Sequence, residues 1–155
     1  MTYSTYGYLI TTLREIYPQL QHRTYAGITS FAAIAAHFDW PLGEGKERVL
    51  LLPCPEEIPD LRADILTHDL VVLMKIGRRL PQVLALLEEL GITENCVFAQ
   101  RLGFAEERTS RGLTDLPRDA EMGYLSTMLI RREAHQPRHQ LPTRPLEETL
   151  SKATG

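Results

Sequence analysis

Side-chain catalysis of the covalent or acid–base kind needs a nucleophile, a base and a group that orients the base. The sequence shows no Ser/His/Asp set, no Cys/His pairing, no metal-ligand cluster and no glycine-rich phosphate loop. Of its five histidines, His22, His37 and His68 stand alone between predicted helices and loops, and His135 and His139 fall near the C-terminus. Cys54 and Cys96 lack Cys-x-x-Cys spacing and read as reduced, structural thiols of a cytosolic protein. What remains are Tyr3, Ser4 and Thr5, which fit a cap and first turn of a helix, and Thr29 or Ser30, a favoured N-cap.

The elements that would position these groups follow from periodicity. Tyr6, Leu9, Ile10, Leu13, Ile16 and Tyr17 recur at three and four, predicting an amphipathic helix over 3–17 that ends before Pro18. Residues 23–25 are a short strand candidate, Gly27 can take a positive φ, and a helix of small residues is predicted over 31–38. The stretch 39–48, with Pro41, Gly43 and Gly45, reads as a loop. Residues 49–52, wholly apolar and closed by Pro53, read as a buried strand, and a helix is expected over 58–66.

A second buried strand is predicted over 70–74, broken by Gly77. The helix through Leu80, Val83, Leu84, Leu87 and Leu90 should close at Gly91. Residues 96–100 form a further strand candidate, 103–121 a polar loop, and 124–130 a strand that closes the sheet. The tail from Arg132 has no apolar period and is expected to be disordered. Strands alternating with helices predict an α/β fold with a mixed sheet and flanking helices, a single ordered domain over 1–131.

Composition narrows the class of function. At 155 residues, 43% hydrophobic and 24% charged, the chain is the size of one ordinary domain. A net charge of -3, with Lys and Arg spread along the chain, supplies no cationic field for a phosphate backbone, so nucleic acid is not an expected partner. No apolar run reaches the roughly 20 residues that cross a bilayer, and the N-terminus lacks the basic-then-apolar pattern of a signal peptide; no membrane partner and a cytoplasmic location are expected.

Met1-Thr2-Tyr3-Ser4-Thr5-Tyr6, then Ala26-Gly27-Ile28-Thr29-Ser30-Phe31, then Val71-Val72-Leu73-Met74-Lys75-Ile76-Gly77 are three segments that, in this order, resemble the tetrapyrrole methylases, and within them the branch that methylates C20 of precorrin-2 or cobalt-precorrin-2. The opening Met1-Thr2-Tyr3-Ser4-Thr5-Tyr6 looks like the stretch after that family's Gly-Asp-Pro turn. Ala26-Gly27-Ile28-Thr29-Ser30-Phe31 followed by Trp40-Pro41-Leu42-Gly43 is similar to its Pro-Gly-Ile-Thr/Ser-Ser signature, with Ala26 in place of the proline. Val71-Val72-Leu73-Met74-Lys75-Ile76-Gly77 and Gln100-Arg101-Leu102-Gly103 resemble a strand and turn before a long helix and the region after it. The family's N-terminal Gly-Val-Gly-Pro-Gly segment has no counterpart, so the resemblance implies the C-terminal part of such an enzyme, without its N-terminal domain.

The resemblance further implies S-adenosylmethionine as methyl donor and methyl transfer to a ring carbon of a reduced tetrapyrrole in cobalamin (corrin) biosynthesis. It carries donor contacts onto Thr2, Tyr3, Ser4, Thr5, Thr29, Ser30, Met74, Leu102 and Ser126, with no catalytic residue and no metal. Arg78, Arg79, Arg101 and Arg108 become candidates to face the substrate's acetate and propionate groups. A sulfonium methyl is already activated, so alignment of donor and acceptor is the protein's main task. A homodimer, and inactivity of this part alone, are also implied. Two alternatives stand beside this reading: methylation of another corrin carbon, and a non-catalytic vestigial domain.

Overall fold

The structure, a computed structural model, describes residues 4–134. Helix α1 (Thr5–Ile16) starts where Ser4 caps it, its hydroxyl accepting from the Tyr6 N–H at 3.2 Å. Ile10 is its one buried residue. The expected strand at 23–25 does not form. These residues fold back along α1, with the Tyr6 and Thr24 hydroxyls 2.7 Å apart, Arg14 3.2 Å from His22, and Arg23 over the Tyr25 ring. A strand persists only where a neighbour completes its ladder, and none lies beside this segment.

Helix α2 (Ser30–His37) is followed by the expected loop and by β1 (Val49–Pro53). Helix α3 (Ile58–Thr67) crosses over to β2 (Leu70–Met74), which is fully buried and pairs with β1 in parallel. A 3-10 turn over Gly77–Arg79 leads into α4 (Leu80–Glu89), which Gly91 ends at φ 67°. After β3 (Cys96–Gln100), the predicted polar loop contains a strand, β4 (Arg108–Arg111), paired antiparallel with β3. Its Arg-Thr-Ser-Arg sequence has no apolar face because β4 is an exposed edge, where charge suits water.

The last strand, β5 (Ser126–Arg131), lies in the middle of the sheet, antiparallel to both β2 and β3. The order β1-β2-β5-β3-β4 therefore puts β1 at an edge, half exposed, where its apolar run predicted burial. The strand run is apolar because both of its faces meet helices or loops, even though one edge is open. One sheet face packs on α3 and α4 through Leu61, Ile65, Leu84, Leu87, Phe98 and Met128. The other carries α2 through Ile34, with Val72, Met74, Val97 and Leu129. This three-layer mixed α/β arrangement is the fold class the sequence predicts. Fully buried Leu84 faces α3 and the sheet, and Leu84→Ala would cost about 2–5 kcal/mol.

The loop before β1 is tied to the sheet by charge. Arg131, buried at the end of β5, pairs with Glu47 at 2.9 Å and donates to the Pro41 carbonyl at 2.7 Å. The Arg131 hydrogen bond holds the Glu47 carboxyl below its ordinary range. Arg111 of β4 lies over the rings of Phe38 and Trp40, fixing the end of α2 against the sheet edge. Cys54 and Cys96 are free and buried, and burial pushes both thiols up.

Candidate functional site

β2 and β3 end, and β5 begins, at one rim of the sheet. Met74 faces Thr127 and Gln100 faces Ser126 in the ladders there. The next residue out on each strand is left-handed: Lys75 at φ 53°, Arg101 at 50° and Leu125 at 53°. An L residue in that region costs about 1–3 kcal/mol, and such strain gathers at ligand sites. The Arg101 N–H donates to the Leu125 carbonyl at 3.0 Å, and Gln100 Nε2 donates to the carbonyls of Glu121 and Tyr124, so the strained rim is braced.

α2 points its N-terminus at this rim. Thr29 is the N-cap residue with extended backbone (φ -75°, ψ 151°), as the sequence predicts, yet its side chain makes no capping bond. Its hydroxyl is left for another partner. Ser30 accepts from the Thr127 hydroxyl at 3.1 Å, which locks α2 onto β5. Gly27 does not adopt the positive φ its type allows, and a Cβ there would meet nothing within 4 Å.

Two adjoining cavities of about 430 and 480 Å³ open here, sharing Ser30 and Met74. The first runs past Thr29, Ile28, Tyr25, Tyr6 and Ser4, and the second past Lys75, Gly77, Gly123, Tyr124, Ser126 and Thr127. Thr29, Ser30, Met74, Ser126 and, at the outer end, Ser4 thus come together on one cleft. Ser126 is buried and its hydroxyl donates to the Gly123 carbonyl at 2.7 Å, so its proton is committed to the turn below. Thr5 is exposed on the first turn of α1 and lines neither cavity, and Leu102 packs with Met74 in the core on the α2 side. Thr2, Tyr3 and the tail from residue 135 lie outside the described residues.

Several lining residues are not evident from the sequence. Tyr25 and Ile28 belong to a segment whose course depends on α1, and Tyr124 and Leu125 reach the cleft only because β5 inserts centrally. Gly77, at φ 55°, carries a signal in its type. Of the arginines, Arg79 stands 3.8 Å from Glu56, Arg101 3.8 Å from Glu106, and Arg108 donates to Met122 Sδ at 3.2 Å. Arg78 and Arg101 line a third cavity of about 420 Å³ beside the second. Among the described residues, no three His, Cys, Asp or Glu gather as a metal site, and no helix is long and apolar enough to cross a membrane.

The cleft offers hydroxyls, a thioether, aromatic faces and open space, a set suited to holding a nucleoside-sized molecule, with no side chain placed as nucleophile. The sequence profile of the tetrapyrrole (corrin/porphyrin) methylases matches residues 1–116. The cobalt-precorrin-2 C(20)-methyltransferase of Salmonella typhimurium strain LT2 is 30% identical over 107 residues, covering 69% of this chain and 45% of that protein. The chain therefore spans less than half the length of this curated relative. Among solved structures, the cobalt precorrin-4 methyltransferase CbiF superposes with TM-score 0.58 at 18% identity, covering 82% of this chain and 59% of that one. The methyltransferase CobJ gives 0.57 at 22%, covering 88% and 62%. The uroporphyrin-III C-methyl transferase of Thermus thermophilus, complexed with S-adenyl homocysteine, gives 0.52 at 17%, covering 84% and 61%. These likenesses establish a shared fold.

Proposed function

The chain belongs to the tetrapyrrole methylase family, and from that premise we propose that its cleft holds S-adenosylmethionine for methyl transfer to a tetrapyrrole in cobalamin biosynthesis. The finer reading is C20 of precorrin-2 or its cobalt form, supported by the Salmonella relative. One observation carries the donor assignment. Thr29, Ser30, Met74 and Ser126, far apart in sequence, converge on one cleft, and the Thr29 hydroxyl is uncommitted there.

S-adenosylmethionine supplies a methyl group already activated on its sulfonium. The chain's residues bind and orient. Thr29 and the first turn of α2 offer hydrogen-bond donors, and Met74, Tyr25 and Ile28 give apolar surface. Ser126 and Gly123 hold the floor in place. Ser4 would stand at the mouth, Thr2, Tyr3 and Thr5 belong to the reading through the family resemblance alone, and Leu102 would act by packing behind Met74. Alignment of donor and acceptor can lower a barrier by roughly 7–11 kcal/mol, which is why no side-chain nucleophile is needed.

A homodimer belongs to the same reading. Tyr8, Leu9 and Ile16 leave an apolar stripe of α1 exposed, surface suited to another chain. Sedimentation at several concentrations tests it, and a monomer throughout would remove it. The central test is isothermal titration of the chain with S-adenosylhomocysteine, followed by a methyl-transfer assay on precorrin-2 and cobalt-precorrin-2, with the part of the Salmonella relative that this chain does not match supplied, and carbon assignment of the product. Methylation at another carbon would move the chain to another branch. No binding of the cofactor product would leave a non-catalytic domain.

A further inference from the structure

Among the described residues, only Lys46, Lys75 and Arg78 are cations with no hydrogen-bond, ion-pair or cation–π partner, Arg23 being engaged by the Tyr25 ring. Two of the three flank Gly77. Lys75 lines the second cavity of the donor cleft, Arg78 lines the cavity beside it, and both cavities meet at Gly77 and Tyr124. Arg101, whose Glu106 contact is a loose 3.8 Å, shares the Arg78 cavity. The same cavity holds one carboxylate, Glu121, so its two guanidiniums outnumber its acid.

This placement is maintained at a cost. Lys75 is left-handed at φ 53° although it carries a Cβ, and Gly77 beside it is left-handed at φ 55°. The chain turns sharply off β2 at this point and sets the two cations on the open side of the cleft. An arginine fork and a lysine ammonium without internal partners form a receptor for carboxylate groups.

We propose that Lys75 and Arg78 bind carboxylates of the methyl acceptor, holding an acidic macrocycle across Gly77 and Tyr124 against the donor cleft. The proposal rests on the reading of that cleft as the donor site. A carboxylate there has a second source, the amino-acid end of the donor itself, and the test separates the two.

The full chain is titrated with uroporphyrin III, an octacarboxylate, by fluorescence, with its octamethyl ester as the uncharged control, and with S-adenosylhomocysteine by calorimetry. The double variant Lys75→Gln/Arg78→Gln should weaken octacarboxylate binding about tenfold while S-adenosylhomocysteine binding stays unchanged. Lys46→Gln, which removes the third unpartnered cation away from both cavities, should leave octacarboxylate binding as it was. Equal weakening by Lys46→Gln, or octacarboxylate affinity unchanged in the double variant, would overturn the proposal. So would tight binding of the ester or no octacarboxylate binding by the wild-type chain. Weakened S-adenosylhomocysteine binding alone would assign the cations to the donor. If the wild-type chain binds octacarboxylate through Lys75 and Arg78 but not S-adenosylhomocysteine, the donor reading fails and the carboxylate site stands.

Discussion

A Cβ placed on Gly123 would stand 1.8 Å from the carbonyl oxygen of Gly77. The two turns that floor the donor cleft, Gly77–Arg79 and Ala120–Gly123, are therefore in backbone-to-backbone contact, and only glycine at 123 allows it. Because the obstacle is backbone, it cannot swing aside as a side chain would. Gly123→Ala should destabilise the fold by about 1–3 kcal/mol, as overpacking does, and weaken S-adenosylhomocysteine binding as the turns separate. Gly27→Ala meets no atom and should leave the melting temperature unchanged. Equal stability of both variants in thermal melts would show that the turns can part freely.

Thr29 supplies the second prediction. Its hydroxyl sits at a helix start but caps nothing, so replacing it should not loosen α2. Thr29→Val should leave stability within about 0.5 kcal/mol. It should weaken S-adenosylhomocysteine binding by about 1–3 kcal/mol if the hydroxyl bonds the ligand, because the ligand's partner group is left desolvated. Cys54→Ala, a buried substitution outside both cavities, should not change that affinity. Calorimetric affinities unchanged by Thr29→Val would remove the residue from the site.

Much of this layout is legible in the sequence, and the illegible part has a common cause. β2, β3, α3 and α4 are legible because their apolar residues are local and periodic. β4 is not, because an exposed edge of Arg-Thr-Ser-Arg has no apolar signature and pairs only through its hairpin with β3. The central position of β5 depends on pairing with two strands distant in the chain, so its residues mark it as a strand and do not mark its place. The cap at Thr29 is legible, whereas its free hydroxyl is not, since that depends on which partners the fold leaves it. The Gly123–Gly77 contact is likewise a product of tertiary packing.

The Glu47–Arg131 pair makes stability depend on acid. Their side chains are 16% and 3% exposed, so removing the carboxylate leaves a buried guanidinium with only the Pro41 carbonyl. Glu47→Gln should cost about 3 kcal/mol. Glu47 is lowered chiefly by its bond from Arg131, and Asp69 chiefly by the Arg48 backbone N–H. A lowered acid binds fewer protons folded than unfolded, so its stabilisation is full above the ordinary carboxylate range of about 4 and fades as pH falls through the folded values. Denaturant melts should show steeper acid destabilisation in the wild-type chain than in Glu47→Gln. Parallel pH profiles would contradict the pairing.

Both thiols should resist alkylation while the chain is folded. Cys54 and Cys96 are buried, and desolvation raises each above the ordinary thiol value, so the thiolate is scarce at neutral pH. Iodoacetamide at pH 7.5 should label neither within the time that labels both in denaturant. Rapid labelling of Cys54 in the folded chain would show that the loop after β1 opens.

The last prediction concerns turnover. The cleft is bounded on one side by the sheet rim and α2, while Tyr25 and Ile28 on its first cavity are 76% and 85% exposed, and Tyr124 and Leu125 on its second are 63% and 60% exposed. Large apolar side chains left open around a cavity mean that a ligand there touches protein on one face and water on the other. A donor held this way keeps much of its rotational freedom, so the orientation that should dominate the rate is largely missing. The 155-residue chain is thus expected to bind S-adenosylhomocysteine weakly and to give no measurable methyl transfer to precorrin-2 or its cobalt form. Supplying a second wall should restore both, and the part of the Salmonella relative outside the 45% that this chain matches is the piece to fuse or add. The measurement is methyl transfer from labelled S-adenosylmethionine with and without that part. Turnover by the chain alone at the rate of the completed enzyme would mean that one wall suffices and that alignment is achieved by the residues described here.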